Sequence, residues 1–240
     1  MGTKRLFISP HLDDGAVSFG GTLLAERQKP SAEIRTLVAT VFSRSNYTRT
    51  GLGDEAEVTP IRQAEEKSVM GSLGVDTLFL GFLECPLRGY TISDPLDYPK
   101  QLRPELDAGI VEKLAARFEE IFNSSDKVLI PLAIGEVAHV DHRIVRLAAS
   151  LAWRSNPRLL LRLYEDAPYI GKEKRDRVSA LKGFRLEEHP IDLEAKLNLI
   201  RGYKSQPMES WEDLIRQTAG QPPVERTWIV NKPTLLQHLQ

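Results

Sequence analysis

One short stretch near the amino terminus limits the folds open to this chain more than any other. An apolar run, residues 6–8, is followed within a few positions by His11, Asp13 and Asp14. The chain then turns small and apolar over residues 15–21, as in a helix packed closely on a sheet. Buried His and Asp side chains must be paired, hydrogen-bonded or metal-bound to offset their lost hydration. The stretch therefore predicts a strand whose carboxyl end opens into a crevice, where open α/β sheets bind ligands.

Short β-rich runs alternate with longer periodic segments along the rest of the chain. This alternation predicts βαβ units, and hence a single-domain, three-layer Rossmann-like α/β fold with a mainly parallel sheet over residues 1–240. The predicted strands are residues 5–9, 33–42, 77–80, 127–131, 159–164, 184–188 and 227–230. The predicted helices are residues 16–28, 59–71, 104–123, 144–153, 172–181 and 193–203, with Thr59 and Pro60 as N-cap and first-turn residue of the second. Residues 43–58 and 81–102 are predicted to be irregular, the latter because of Pro86, Pro95 and Pro99.

Charge and cysteine content narrow the choice of partners. The 32 basic and 33 acidic residues leave a net charge of -1, which gives no electrostatic reason to expect nucleic acid or an anionic membrane as a partner. No apolar segment is long enough for a membrane span, so the expected location is the cytoplasm. The single cysteine, Cys85, excludes an intramolecular disulfide and a site built on several thiolates, and we interpret it as a small buried apolar residue. The oligomeric state stays open, a homo-oligomer included.

A second polar cluster follows another predicted strand. His139, Asp141 and His142 come after the buried strand 127–131 and a short loop. Since the carboxyl ends of two parallel strands can be neighbours, the two clusters can meet. His11, Asp14 and His142 would then supply two imidazoles and one carboxylate, the ligand set of a catalytic zinc site that keeps a fourth position open for water. For the first cluster alone, helix capping explains the residues equally well.

Both clusters resemble the motifs of a known family. Ser-Pro-His-Leu-Asp-Asp-Gly-Ala at residues 9–16 and His-Val-Asp-His at residues 139–142 are similar to the Pro-His-Pro-Asp-Asp-Glu and His-x-Asp-His motifs of the LmbE-like (PIG-L) zinc-dependent N-deacetylases. That family includes N-acetylglucosaminyl-phosphatidylinositol de-N-acetylase. Leu12 replaces the motif's second proline, and Gly15 replaces its glutamate. Further similarity lies at residues 62–65, 80–83, 164–169 and 196–206.

The resemblance implies a role for each residue of the two motifs. The zinc ligands would be His11, Asp14 and His142. Asp13 would act as general base on the zinc-bound water. His139 would stabilise the oxyanion or protonate the leaving amine, and Asp141 would tune its neighbouring histidine. Such a division of labour suits amide hydrolysis, which needs an acidified water, a base and an acid.

Weaker signals concern substrate contacts. The resemblance implies that Arg62 contacts the sugar, although a solvated helix face is an equally good explanation. Arg44 and Arg49 lie in the predicted loop 43–58 and could meet a phosphate or carboxylate of the substrate. Glu165 and Asp166 follow a predicted strand and could line the site, or they could simply belong to a turn.

We therefore predict a zinc-dependent hydrolase that removes an N-acetyl group from a small-molecule substrate, an amino-sugar of the N-acetylglucosamine type or its conjugate. One alternative is a metal-dependent amidase of a larger thiol-sugar or antibiotic-type conjugate. A second is a metal-binding protein without turnover, for which Gly15 is the only hint. A third, a metal-dependent phosphoesterase, commonly needs two metals, whereas the sequence offers ligands for one.

Overall fold

The computed structural model describes residues 3–29, 34–92, 99–135, 138–156 and 158–239. Its centre is a seven-stranded sheet with the order β5-β2-β1-β6-β7-β9-β8, in which β9 alone runs against its neighbours. The strands are β1 (Thr3–Ser9), β2 (Ile34–Thr40), β5 (Asp76–Phe79), β6 (Lys127–Pro131), β7 (Leu160–Tyr164), β8 (Phe184–Pro190) and β9 (Val224–Val230). A separate two-stranded hairpin consists of β3 (Tyr47–Thr48) and β4 (Gly51–Leu52). The predicted three-layer α/β fold with a mainly parallel sheet is confirmed.

Helices cover both faces of the sheet. They are α1 (Asp14–Arg27), α2 (Glu55–Ser72), α3 (Pro104–Asp107), α4 (Ile110–Phe122), α5 (Val140–Ser155), α6 (Lys172–Ser179), α7 (Leu193–Ile200) and α8 (Met208–Ala219), with 3-10 helices at Cys85–Arg88 and Pro233–Leu239. Strand β1 shows how the layers are joined, because Leu6 and Ile8 belong to the core beneath α4 and α5 while Phe7 belongs to the core beneath α1 and α7. Side chains that alternate between two buried faces explain why this strand is a continuous apolar run. None of the described helices is both long enough and apolar enough to cross a membrane.

Two of the predicted helices differ from the helices in the structure. Helix α2 begins at Glu55, because the side chain of Asp54 caps it by accepting from the Ala56 backbone N–H. Thr59 does not cap a helix; its hydroxyl exchanges hydrogen bonds with the backbone of Ser45 and ties the preceding loop to α2. The predicted helix 104–123 is split into α3 and α4 by Gly109, whose φ of 72° lies in the left-handed region.

Other departures are smaller. Helix α7 ends at Ile200 rather than at residue 203, and the sequence analysis missed α8 altogether. The predicted irregular segment 43–58 contains the β3–β4 hairpin and the first turn of α2. Glu33, predicted to start the second strand, and Pro95 lie outside the described residues.

The order of the strands places one crevice at the centre of the sheet. Strand β1 pairs with β2 on one side and with β6 on the other, and all three are parallel. The chain moves outward from β1 to β2 and later returns to β6, so the connections after β1 and β6 leave in opposite directions. Such a switch point opens a crevice at the carboxyl ends of the strands, where α/β proteins bind ligands.

Candidate metal centre and active-site cavity

The first polar cluster is held by a tight turn between β1 and α1. The Ser9 hydroxyl donates to the His11 carbonyl and accepts from the Gly15 backbone N–H. The Asp14 carboxylate accepts from the His11 backbone N–H at 2.8 Å. These bonds keep the carboxylate of Asp14, the second acid of the pair, beside the imidazole of His11. Asp13 caps α1 with its backbone alone, so its side chain stays available to the crevice.

The second cluster forms the first turn of α5. The Nδ1 atom of His139 caps this helix by accepting from the Asp141 backbone N–H at 3.1 Å. A ring nitrogen that accepts a hydrogen bond carries no proton, so a neutral His139 has its proton on Nε2. His142 lies one turn further and is 1% exposed. Its Nδ1 lies 3.6 Å from a carboxylate oxygen of Asp166, which also accepts from the backbone of Leu132 and Ala133.

Three predicted metal ligands converge at the meeting point of the two clusters. Both His11 Nδ1 and His142 Nε2 lie 3.1 Å from Oδ2 of Asp14. Ligand atoms around a tetrahedral zinc ion are about 3.3 Å apart, given zinc–nitrogen and zinc–oxygen distances of about 2.0–2.1 Å. Buried Nε2 of His142 has no hydrogen-bond partner among the described residues, although it lies so close to this carboxylate. The spacing and this unsatisfied nitrogen fit a shared metal ion better than a direct ion pair.

Asp141 contacts His11, one of the predicted metal ligands. Its Oδ2 lies 2.9 Å from Nε2 of His11 and accepts from the Cys85 backbone N–H, while Oδ1 lies 2.7 Å from the Arg88 guanidinium. Its carboxylate thus contacts His11 of the other motif, whereas its backbone serves the neighbouring His139. An anionic carboxylate at Nε2 keeps a proton there, so a neutral His11 has no proton on Nδ1, the nitrogen that faces the candidate metal position.

Burial and neighbouring charges give the two carboxylates of the first cluster different acidities. Burial raises the pKa of Asp13 to about 6, against the attraction of the Arg62 guanidinium. Burial also acts on Asp14, but the charges of His142 and His11 outweigh it and hold the pKa of Asp14 well below its ordinary value. Burial, reinforced by His11, holds the pKa of His139 well below its ordinary value. Asp14 is therefore the better anionic ligand and Asp13 the better base.

A cavity of about 460 Å³ opens above these residues. It is lined by His11, Asp13, Asp14, Tyr47, Arg62, Glu84, Ile92, His139, Tyr169, Gln206 and Trp211. Four segments far apart in sequence contribute to this wall: the β3–β4 hairpin, α2, the segment before Cys85, and the start of α8. Tyr47, Glu84 and Trp211 were not predicted as site residues, because they belong to no motif and only the packing brings them to the cavity. Gln206 lies in the stretch 196–206 that is similar to the family, but that similarity gave it no role.

Of the predicted substrate residues, Arg62 lines the cavity, whereas Arg44 and Glu165 do not. Arg62 lines the cavity and is 2% exposed; it donates to Glu84 at 2.9 Å and lies 3.4 Å from Asp13. Arg44 pairs with Glu55 on the exposed side of α2, and Glu165 pairs with Arg175. Neither Arg44 nor Glu165 is among the described residues that line the cavity.

Three further residues stand away from the cavity wall. Asp166 lies behind His142 rather than on the wall, and its carboxylate therefore supports a predicted ligand instead of facing the substrate. Arg49 is joined through its backbone N–H to the carbonyl of Ser205. Cys85 is fully buried, and burial raises the pKa of its thiol well above the ordinary value, in agreement with its interpretation as an apolar residue.

Comparison with known proteins agrees with this geometry. Residues 6–153 match the PIG-L family model, described as GlcNAc-PI de-N-acetylase. A 2'-N-acetylparomamine deacetylase from Streptomyces fradiae is 35% identical over 189 residues, which are 76% of this chain and 62% of that protein. The structure is similar to the zinc-inhibited form of a teicoplanin deacetylase, with a TM-score of 0.73, 24% identity, and 96% and 98% of the two chains covered. A deacetylase–teicoplanin complex gives a TM-score of 0.72 at 25% identity, with 96% and 99% covered.

Proposed function

Because this chain belongs to the PIG-L (LmbE-like) family, as the two motifs predicted, we propose that it is a zinc-dependent N-deacetylase. The substrate would be an N-acetylated amino-sugar, free or within a larger conjugate, and the products acetate and the free amine. The observation that carries the proposal is that His11 Nδ1 and His142 Nε2 each lie 3.1 Å from the same oxygen of Asp14. The adjacent carboxylate of Asp13 makes no capping hydrogen bond to α1 and so remains available for catalysis.

The donor set fits zinc. Two imidazoles, which lose any proton from the coordinating nitrogen when they bind a metal, and one carboxylate are the ligands of catalytic zinc sites. All three side chains are at least nine-tenths buried, and the adjoining cavity leaves room for water and substrate. When bound, zinc supplies Lewis acidity, which lowers the pKa of a coordinated water and polarises a carbonyl. Asp141 and Asp166 hold the two histidines from behind, as outer carboxylates commonly do for metal-ligating histidines.

The remaining residues of the two motifs would share the proton transfers. Asp13 takes a proton from the attacking water and returns it to the departing nitrogen as the carbon–nitrogen bond breaks. Arg62 stands 3.4 Å away and keeps this carboxylate oriented toward the cavity. His139 has its proton on Nε2 because Nδ1 caps α5, so it donates a hydrogen bond to the carbonyl oxygen as negative charge develops there. The helix cap thus favours the oxyanion role of His139 over protonation of the amine.

Acetate release from a panel of N-acetylated amino-sugars tests the proposal. The purified protein is stripped with a chelator and reloaded with zinc, and activity should follow zinc occupancy. His142→Ala should lose zinc, while Asp13→Asn should keep zinc and lose about 100-fold or more in kcat. Normal turnover by fully metal-free protein, or an Asp13→Asn variant with unchanged kcat, contradicts the proposal.

A second candidate differs in substrate rather than in chemistry. Two proteins similar to this chain are named as a 2'-N-acetylparomamine deacetylase and as a deacetylase in the biosynthesis pathway of teicoplanin. An acylated antibiotic-type conjugate is therefore the alternative to a simple N-acetylglucosamine derivative. Identifying the released acid and amine by mass spectrometry, with both substrate types offered together, separates the two.

A further inference from the structure

A second cavity, of about 510 Å³, lies away from the active site. It is formed by one residue of α4, five residues of α5 and the carboxyl-terminal 3-10 helix, and shares no lining residue with the active-site cavity. Its lining includes Val111, Arg146, Leu147, Ser150, Leu151 and Leu236.

Arg146 is an unusual residue for such a place. It is 2% exposed, and its terminal nitrogen donates to the Leu236 carbonyl at 2.8 Å. Among the residues that the structure describes, none forms a hydrogen bond with its Nε, and no carboxylate lies within ion-pair distance of its guanidinium. Burial and the charge of Arg143 lower the pKa of Arg146 to about 10, and the attraction of Asp166 offsets this only in part. A buried charge is costly unless it is paired, so an anion beside this guanidinium would be stabilised.

The residues around Arg146 define what kind of anion would fit. Ser150 follows one helical turn later on α5, and Arg154 a further turn later at the exposed mouth of the cavity. Apart from the amide of Gln237, the other lining residues are aliphatic, and Leu151 keeps 39% of its surface exposed. A compact inorganic anion would leave these aliphatic walls in contact with water. A ligand with a charged head and an apolar tail would satisfy both the guanidinium and the walls.

We propose that this cavity is a binding site for an organic monoanion of the medium-chain carboxylate class. The carboxylate lies at Arg146 and Ser150, and the alkyl chain packs on Val111, Leu147 and Leu151. The site is independent of the proposed deacetylation, since no lining residue belongs to the catalytic machinery.

Octanoate is the probe, titrated into the zinc-loaded full-length protein by calorimetry, with octanol and inorganic phosphate as comparison ligands. Octanoate should bind, and both comparison ligands should bind at least tenfold more weakly. Arg146→Met should weaken octanoate binding at least tenfold. Leu151→Trp should also weaken octanoate binding at least tenfold, because the larger side chain fills the region of the alkyl tail. Since Leu151 is partly exposed, this variant provides a test even if the Arg146 variant does not fold. Arg44→Met serves as the matched control, because Arg44 is an exposed arginine that does not line this cavity.

A photoreactive octanoate analogue identifies the site directly, because a carboxylate could also bind at the metal centre. Peptides that contain α5 beyond residue 146, or residues 233–239, should be labelled, and excess octanoate should suppress the labelling. Three results overturn the proposal: labelling confined to the active-site peptides, phosphate binding as tightly as octanoate, or unchanged octanoate binding by Leu151→Trp.

Discussion

Replacing Asp141 by Asn tests whether a carboxylate hydrogen-bonded to a predicted metal ligand, His11, increases zinc affinity. Each carboxylate oxygen of Asp141 faces hydrogen-bond donors: Oδ2 faces His11 Nε2 and the Cys85 N–H, and Oδ1 faces Arg88. An amide offers one oxygen and one NH₂ group, so either orientation of Asn sets a donor against a donor. The variant keeps the shape of the side chain while it removes the charge that holds the proton on Nε2.

The expected loss follows from the contact itself. A hydrogen bond to a charged group contributes about 1.5–3 kcal/mol, and this one is 2.9 Å long at a residue with no exposed surface. At about 1.4 kcal/mol per factor of ten, Asp141→Asn should weaken zinc binding roughly 10–100-fold, in the range seen when outer-shell partners are removed. Competition between apo-protein and a chromophoric chelator measures this affinity without any substrate.

Asp107 provides the matched control. It is buried and binds the same Arg88 guanidinium at 3.0 Å, yet it touches no predicted metal ligand. Asp107→Asn should cost a comparable amount of thermal stability and leave zinc affinity within about threefold of the parent protein, since only Asp141 contacts His11. Equal zinc affinity in Asp141→Asn and the parent, or an equal loss in both variants, refutes this reasoning.

Two further predictions concern stability. Burial, opposed by a hydrogen bond from Tyr203, raises the pKa of Glu66 from 4.5 to about 8, so the folded protein keeps a proton that the unfolded chain releases near pH 4.5. The free energy of unfolding should therefore fall by about 3–5 kcal/mol as the pH rises between these two values. Glu66→Gln should remove this fall, and urea unfolding at pH 8.5 should show the variant to be more stable than the parent protein. A parallel pH dependence in both proteins contradicts the assignment. Gly21→Ala should lose about 1–3 kcal/mol, because its Cβ would lie 2.8 Å from two carbons of Ile191, whereas Gly15→Ala meets only the flexible end of a methionine closely and should lose less. Thermal unfolding ranks the two alanine variants, and the reverse order would show that the packing is misjudged.

The sequence could predict that the candidate metal ligands lie together, because strand ends are easy to recognise. His11 and His142 each follow a short apolar run, and two parallel strands that feed one crevice bring such residues together without any knowledge of side-chain packing. Arg88, Glu84 and Trp211 could not be predicted in the same way. They lie in a 3-10 helix, in the segment before it and in the missed helix α8, and their contact with the site depends on how distant segments pack.

Gly15 shows what the structure adds to a motif. The family glutamate is absent at this position, where a Cβ atom would lie 3.0 Å from the end of Met70. Another buried carboxylate, that of Glu66, nonetheless lies near the aspartate pair. It is close enough for the charges of Asp13 and Asp14 to help raise its pKa. The sequence alone could not reveal this, since Glu66 belongs to α2 and to no motif.

The pairing of β1 with β6 has a consequence for the mechanics of the whole domain. His11 and His142 are about 130 residues apart in the chain, and they meet only when these two central strands are side by side. A zinc ion held between them would close a loop of that length, in the manner of a reversible crosslink. Each separation of the two strand ends would break the crosslink. The rate of metal dissociation would therefore report how often the central strands of the sheet separate.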